Sequence, residues 1–220
     1  MKEISIFDVI GPNMIGPSSS HTAGALRISL MVNKLVQKPI KEVTFILYGS
    51  FAKTYKGHGT DRALLAGILG MDTEDERIKD AFDYADEAGL RYAFETRESH
   101  AEYHPNTVEV VATDEMGERT TVRGASIGGG NIRIEQIDGV DVEFSGAYCT
   151  MIIRQQDTPG VVAYITQALS EYGINIAFMR LYRESKGSVA YTIIETDENV
   201  DRGVREKIKE HPSIEDVKII

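Results

Sequence analysis

Apolar and polar positions in the last third of the chain follow two clean periods. Tyr148 to Gln155 is an apolar run of strand length, closed by the turn sequence Asp157-Thr158-Pro159-Gly160. Val161, Ile165, Ala168, Leu169 and Tyr172 then recur at helical spacing until Gly173 ends the helix. A strand is expected from Ile174 to Tyr182 and a hairpin turn at Lys186-Gly187. Val189, Tyr191 and Ile193 alternate with smaller residues, as in a half-buried strand. A second helix over about 200–210 stops at Pro212, and Val217-Lys218-Ile219-Ile220 reads as a final strand.

That order, βαββαβ, describes four antiparallel strands with two helices on one face, the ferredoxin-like unit. The Asp157-Thr158-Pro159-Gly160 turn, the helix after it and Gly173-Ile174-Asn175-Ile176 together resemble the ACT domain, a ferredoxin-like module that often binds amino acids. The resemblance covers residues 148–220 and makes Asp157, Gly160 and Asn175 candidates for a regulatory amino-acid site. Physically, Gly160 lets the amides at a helix start come close to a ligand, and that terminus favours a carboxylate. The plainer alternative is a good turn and helix start in a domain that only dimerises.

Upstream the pattern is less regular. Ser5 to Ile10 reads as a short helical turn ended by Gly11-Pro12, followed by a loop from Asn13 to Ser20. Ile28, Met31, Val32 and Leu35 fall at i, i+3, i+4 and i+7 on a helix over 21–37 that Pro39 ends. Val43 to Tyr48 reads as a strand, 61–70 as a helix, 74–88 as a charged amphipathic helix and 91–96 as a strand. Val108 to Val111, Arg119 to Ser126 and Ile132 to Ile137 read as strands joined by glycine-containing turns. This half is therefore α+β too. In the run 137–146 turn formers and acids interrupt the apolar pattern, which places a domain junction there and a first domain over 1–145.

Composition narrows the functions available. A length of 220 residues suits one large or two small domains. The excess of 34 acidic over 24 basic side chains, a net charge of −10, argues against binding phosphate backbones. No apolar run reaches the roughly 18 residues of a membrane span, and the N-terminus lacks a basic segment followed by an apolar core. The expectation is a cytoplasmic protein with neither nucleic acid nor membrane as partner. Cys149, the only cysteine, cannot form an intramolecular disulfide, a cysteine zinc site or the thiolate shell of an iron–sulfur cluster. Any such cofactor must sit on another chain, and Cys149 itself reads as a small buried strand residue.

Three segments carry candidate chemistry. In Gly16-Pro17-Ser18-Ser19-Ser20-His21-Thr22-Ala23-Gly24, directly before a helix, three consecutive serines exceed what one cap needs. Surplus hydroxyls, unpaired helix amides and the positive end of the helix dipole suit a carboxylate or phosphate. His21 at the rim is placed to move a proton, since an imidazole pKa of about 6.5 suits general-base work near neutrality. The alternative is a capped helix with an incidental histidine.

The second segment, Tyr48 to Asp61, joins a strand to a helix and offers His58, Thr60 and Asp61 between glycines without matching a P-loop. Asp61 also reads as the N-cap of the following helix. The third comprises His100 to Thr107 and Ser126-Ile127-Gly128-Gly129-Gly130-Asn131. His100 and His104 have the spacing of a helical metal pair, but Pro105 argues against a helix, and no metal site is assigned. The triple glycine leads into an alternating strand, so it reads as a tight hairpin or as a close backbone approach to a ligand or partner.

Four motifs occur in order: Ile15-Gly16-Pro17-Ser18-Ser19-Ser20-His21-Thr22, Gly57-His58-Gly59-Thr60-Asp61, His104-Pro105-Asn106 and Ser126-Ile127-Gly128-Gly129-Gly130. Together they resemble the β subunit of bacterial iron–sulfur-dependent L-serine dehydratase, and the ACT domain fits its two-subunit type. The resemblance implies conversion of L-serine to pyruvate and ammonia with a [4Fe–4S] cluster as Lewis acid, its cysteine ligands on a separate α subunit. It also implies an α+β first domain like the allosteric substrate-binding domain of some phosphoglycerate dehydrogenases. By matching motifs, Ser18, Ser19, Ser20 and Thr22 would bind the serine carboxylate. His21 would be the base or an orienting group, with His58, Thr60 and Asp61 as further substrate contacts. ACT-mediated homodimerisation is a further expectation. The competing expectation is a regulatory amino-acid-binding subunit or sensor without catalytic residues of its own.

Overall fold

The computed structural model describes residues 14–183 and 185–220, so the short helical turn expected over Ser5–Ile10 lies outside the described residues. The chain divides into two compact units, one ending at Asp138 and the other running from Gly139 to Ile220.

In the first unit a π-helical turn, Ser19–Ala23, runs directly into helix α1 (Gly24–Val36). Strand β1 (Ile40–Leu47), helix α2 (Gly49–Thr54) and helix α3 (Thr60–Ile68) follow. The segment expected as one charged helix over 74–88 is a 3₁₀ turn, Glu76–Asp80, leading into the short α4 (Ala81–Glu87). Its buried residues are Ile78, Ala81 and Ala85, and Asp75 caps the 3₁₀ turn by accepting the Arg77 amide. Strands β2 (Arg91–Thr96), β3 (Thr107–Asp114), β4 (Arg119–Gly128) and β5 (Asn131–Ile137) complete the unit.

The five strands lie in the order β2-β1-β3-β4-β5, with β1 and β2 parallel and the remaining pairs antiparallel. The register puts Phe45, Val110, Val122 and Ile137 in one row across four strands, all buried. Helices α1 and α3 share this core through Leu26, Ile28, Leu35, Leu64 and Leu65, each almost fully enclosed. Burying each such side chain stabilises by about 1.5–3 kcal/mol. The alternate residues of β1, Thr44 and Ile46, point to the other face.

The second unit opens with β6 (Val140–Phe144), a strand within the segment read as a junction. Its buried positions alternate as Val140, Val142 and Phe144, so the acids between them are the exposed face of a strand. Then come β7 (Cys149–Gln156), α5 (Val161–Glu171), β8 (Ile176–Arg183), β9 (Val189–Thr196), α6 (Arg202–Lys209) and β10 (Ile214–Ile219). The sheet order β10-β7-β9-β8, antiparallel throughout, is that of a ferredoxin-like unit. Met151, Ile153 and Ile194 meet Val161, Ile165, Leu169, Val204 and Ile208 in one core, with the half-buried Cys149 packed against it.

Candidate functional site

The serine-rich segment forms an irregular helix start. Ser18 is the N-cap, in extended conformation, and its Oγ accepts the His21 amide at 3.2 Å. The Thr22 amide donates to Ser18 O at 2.8 Å, and the Gly24 amide reaches back five residues to Ser19 O. This widened turn leaves the amides of Ser19 and Ser20, at the positive end of α1, without an acceptor among the described residues. The cause is tertiary packing. A Cβ on Gly24 would run into the Ser126 side chain, so only glycine lets α1 settle this closely on β4. π turns of this kind are frequent at functional sites.

His21 sits at the centre. Its Nε2 lies 3.0 Å from Ser50 Oγ and its Nδ1 3.4 Å from Ser18 Oγ, so hydroxyls hold the ring from both sides. The His58 ring stands against it almost perpendicular, centroids 4.7 Å apart, and Phe51 packs at 5.5 Å. Burial lowers the His21 pKa below its usual 6.5, and the neighbouring His58 lowers it further. At neutral pH the imidazole is therefore uncharged and able to accept a proton.

The second segment reaches this point by way of β1. Gly49 and Ser50 start α2 where β1 ends. The Ser50 amide donates to Pro105 O at 2.6 Å, and Gly49, with φ +55°, has no room for a Cβ against the Pro105 backbone. The loop carrying His58 returns beside α1, where Thr22 Oγ1 donates to His58 O at 3.5 Å. Thr22, buried, is thus already engaged in holding the second segment. Thr60 is fully buried at the first turn of α3. Asp61 is not the N-cap: that place belongs to Gly59 in left-handed conformation, and the Asp61 carboxylate accepts the Arg62 amide at 2.8 Å from within the first turn. Burial raises its pKa, against the pull of that amide.

The third segment closes the site. Residues 100–106 form turns, not a helix. His104 Nδ1 accepts the Asn106 amide at 3.2 Å, and Asn106 O accepts the Ser126 amide at 3.0 Å. The triple glycine is a hairpin, Gly129 and Gly130 both at positive φ between the paired Gly128 and Asn131. Arg27 of α1 donates to Gly130 O at 2.8 Å, which fixes the hairpin beside the first turn of that helix.

Sequence reading missed Ser50, Asn106 and Ser126 as members of this site. Ser126 Oγ, Asn106 Oδ1, Thr60 Oγ1 and His58 Nδ1 are buried with no hydrogen-bond partner among the described residues. Each such orphan costs about 1–3 kcal/mol, and a polar ligand that paired them would recover that cost. The available signal was positional: Ser50 follows a strand-ending glycine, and Asn106 and Ser126 lie in the recurring motifs.

The candidate regulatory residues are not gathered in one chain. Asp157 Oδ2 accepts Gly187 N at 3.1 Å and pairs with Arg183 at 3.2 Å, which lowers its pKa, and Gly160 caps α5 at φ +94°. Asn175 precedes β8 at the level of Cys149 and Thr196, the other end of the sheet. At ~3.3 Å per residue, roughly seven residues of strand separate the two ends, about 23 Å.

Among the described residues no group of three or more His, Cys, Asp or Glu side chains could hold a metal ion, and no helix is long and apolar enough to cross a membrane. Comparison with known proteins finds the serine dehydratase beta chain family over residues 5–91 and the ACT domain family over 150–213. The chain is 40% identical to the L-serine dehydratase beta chain of Peptoniphilus asaccharolyticus, covering 94% of each. It is also 40% identical to the probable L-serine dehydratase beta chain of Bacillus subtilis, covering 97% of this chain and 96% of that one. D-3-phosphoglycerate dehydrogenase of Bacillus subtilis is 28% identical over 88% of this chain and 37% of its own length.

Proposed function

The chain belongs to the family of L-serine dehydratase β chains, and from that premise we propose how its residues serve the reaction. L-Serine binds with its carboxylate at the start of α1, on the Ser19 and Ser20 amides and the hydroxyls of Ser18, Ser19 and Ser20. Thr22, His58, Thr60 and Asp61 shape the pocket around it, and Asn106 Oδ1 is an acceptor suited to the substrate ammonium. His21 takes the Cα proton. The β-hydroxyl departs and, gaining a proton equivalent to the one His21 took and passes on, becomes water; this leaves an aminoacrylate, which tautomerises to the imine. Hydrolysis of the imine releases pyruvate and ammonia.

The hydroxyl needs an electrophile to leave, and this chain's residues do not fit the [4Fe–4S] cluster of the serine dehydratases it resembles. Cys149 is the only cysteine, and the described residues gather no ligand set. In this reading the cluster belongs to a separate cysteine-rich α subunit, the two chains work together in the cytoplasm, and the ACT domain provides dimerisation, with an amino-acid site only where Asp157 and Gly160 of one copy meet Asn175 of another.

The observation that carries the reading is His21, neutral and held by Ser18 and Ser50 beside orphaned polar atoms at a helix start. The test is His21→Ala in the complex co-expressed anaerobically with its cysteine-rich α chain, read as pyruvate release from L-serine. The expected result is a loss of about 10²- to 10⁴-fold in kcat with the α chain still co-purifying. Unchanged turnover at saturating serine would overturn it and leave the chain a regulatory subunit.

A further inference from the structure

The face of the first sheet turned away from α1 holds an arginine that its surroundings bury. Arg123, in the middle of β4, keeps only 14% of its side chain exposed. Among the described residues, the connection between β2 and β3 reaches over it. Tyr103 of that connection lays its ring over the guanidinium, 4.7 Å from centroid to Cζ, and Arg123 Nη1 donates to Tyr103 Oη at 3.1 Å. The same nitrogen donates to Gln136 Oε1 at 3.2 Å, and Glu135 stands 3.9 Å from Nε, so β5 anchors the arginine from the far side. On its other flank the Tyr103 ring meets Tyr48 edge-on at 5.2 Å. Tyr48 is the buried residue between β1 and α2, the N-cap of α2 and one position before Gly49-Ser50.

The connection has two halves of different character. Residues 98–102 are exposed, whereas His104, Pro105 and Asn106 are stitched to the Ser50 amide, the Ser126 amide and one another. Tyr103 is the hinge between the halves. A partly desolvated cation over an aromatic face contributes more than an exposed one, and here the hydroxyl oxygen of the same tyrosine also accepts a hydrogen bond from the cation.

We propose that Tyr103 and Arg123 form a clasp that positions the His104-Pro105-Asn106 limb of the serine site, so that both act as positioning residues without touching substrate. This rests on the reading of the site given above. Through Pro105 O the clasp also sets Ser50, whose hydroxyl holds His21. Misplacement by about 1 Å at such a remove costs up to 10²-fold in catalysis. Because Asn106 is a binding contact present in ground and transition states alike, the larger share of the loss falls on KM.

The experiment compares Tyr103→Leu, Tyr103→Phe and Arg123→Lys in the assembled αβ enzyme, each with steady-state kinetics for L-serine and a thermal melt. Tyr103→Leu is expected to raise KM about tenfold while kcat changes less than about threefold. Tyr103→Phe, which keeps the ring over the guanidinium, should recover most of that KM. Arg123→Lys should fall between, since an ammonium keeps the charge but loses the planar fork. A Tyr103→Leu enzyme with unchanged KM, or one whose kcat falls with its melting temperature at constant KM, would overturn the proposal. Should the unsubstituted enzyme release no pyruvate from L-serine, it is the functional reading that fails. A Tyr103→Leu enzyme with unchanged KM beside an active parent sinks the clasp alone.

Discussion

The two units treat their buried polar atoms in opposite ways. In the second, Thr192 Oγ1 donates to Gln155 Oε1 at 3.1 Å, Thr196 Oγ1 to Glu198 O at 2.7 Å and Thr150 Oγ1 to Tyr148 O at 3.0 Å. In the first, His58 Nδ1, Thr60 Oγ1, Asn106 Oδ1 and Ser126 Oγ are enclosed without partners, and no described residue of the second unit shares that condition. A unit whose interior is paired is stable on its own terms. One that carries several orphans, each costing about 1–3 kcal/mol, gives up stability where a ligand can repay it. The contrast supports placing the proposed chemistry in the first unit, by an argument separate from sequence likeness.

The sharpest way to break that contrast is to remove the orphans. Ser126→Ala and Asn106→Ala each delete an unpaired polar group, so the melting temperature of the complex should stay level or rise. Pyruvate release should nevertheless fall by about 10-fold or more, since a buried contact to a polar substrate group is lost. Melts and steady-state assays on the same preparations check both signs. A destabilised but fully active Asn106→Ala enzyme would mean the orphan is a structural accident.

A smaller effect of opposite pattern is expected in the second unit. Gln155→Leu strands the buried Thr192 hydroxyl, and should cost about 1–3 kcal/mol. For a chain of this size that lowers the melting temperature by roughly 2–4 °C per kcal/mol. The KM for L-serine and the kcat of the folded fraction should be unchanged. If this variant instead raised KM at constant stability, the second unit would be part of the substrate site and the contrast would dissolve.

How much of this was legible in the sequence follows the same division. The second unit repeats strand and helix periods cleanly because each element buries one face against a single core, so local pattern and tertiary structure agree. Its one surprise, β6, carried the period of two in Val140, Val142 and Phe144, but the intervening Asp141 and Glu143 and the flanking Asp138-Gly139 look like linker chemistry. In the first unit the strands and α1 were equally readable from their apolar faces. Helix α2 was not, because it has six residues with Phe51 as its one buried side chain and exists by virtue of Gly49 fitting against Pro105. The π turn was hidden for the same reason: nothing local to Ser19–Ala23 announces that Gly24 will lie against Ser126, about a hundred residues on. Motif residues gave the candidate site in part, through Ser18 to Thr22, His58 and Thr60. Asn106 and Ser126 become members only when the fold leaves their polar atoms unpaired.

The smallest expected effect concerns the pair at the centre of the first unit. His21 titrates below 6.5 because burial disfavours its cation and because His58 lies against it. If neutral His21 is the proton acceptor, activity at limiting serine should fall on acidification with an apparent pKa below 6.5, not at it. His58→Gln removes the second cause and leaves the first, so the acid limb should move upward, towards 6.5 but short of it. Stability runs with the same sign. A group whose folded pKa is depressed binds its proton more readily when unfolded, so folding weakens as pH drops from 6.5 towards the folded value, and His58→Gln should shrink that loss. The measurement is a pH profile of kcat/KM beside a pH series of thermal melts for both enzymes. An acid limb that stays in place when His58 is replaced would separate the two histidines electrostatically. An acid limb above 6.5 in the unsubstituted enzyme would assign the titrating base to some residue other than His21.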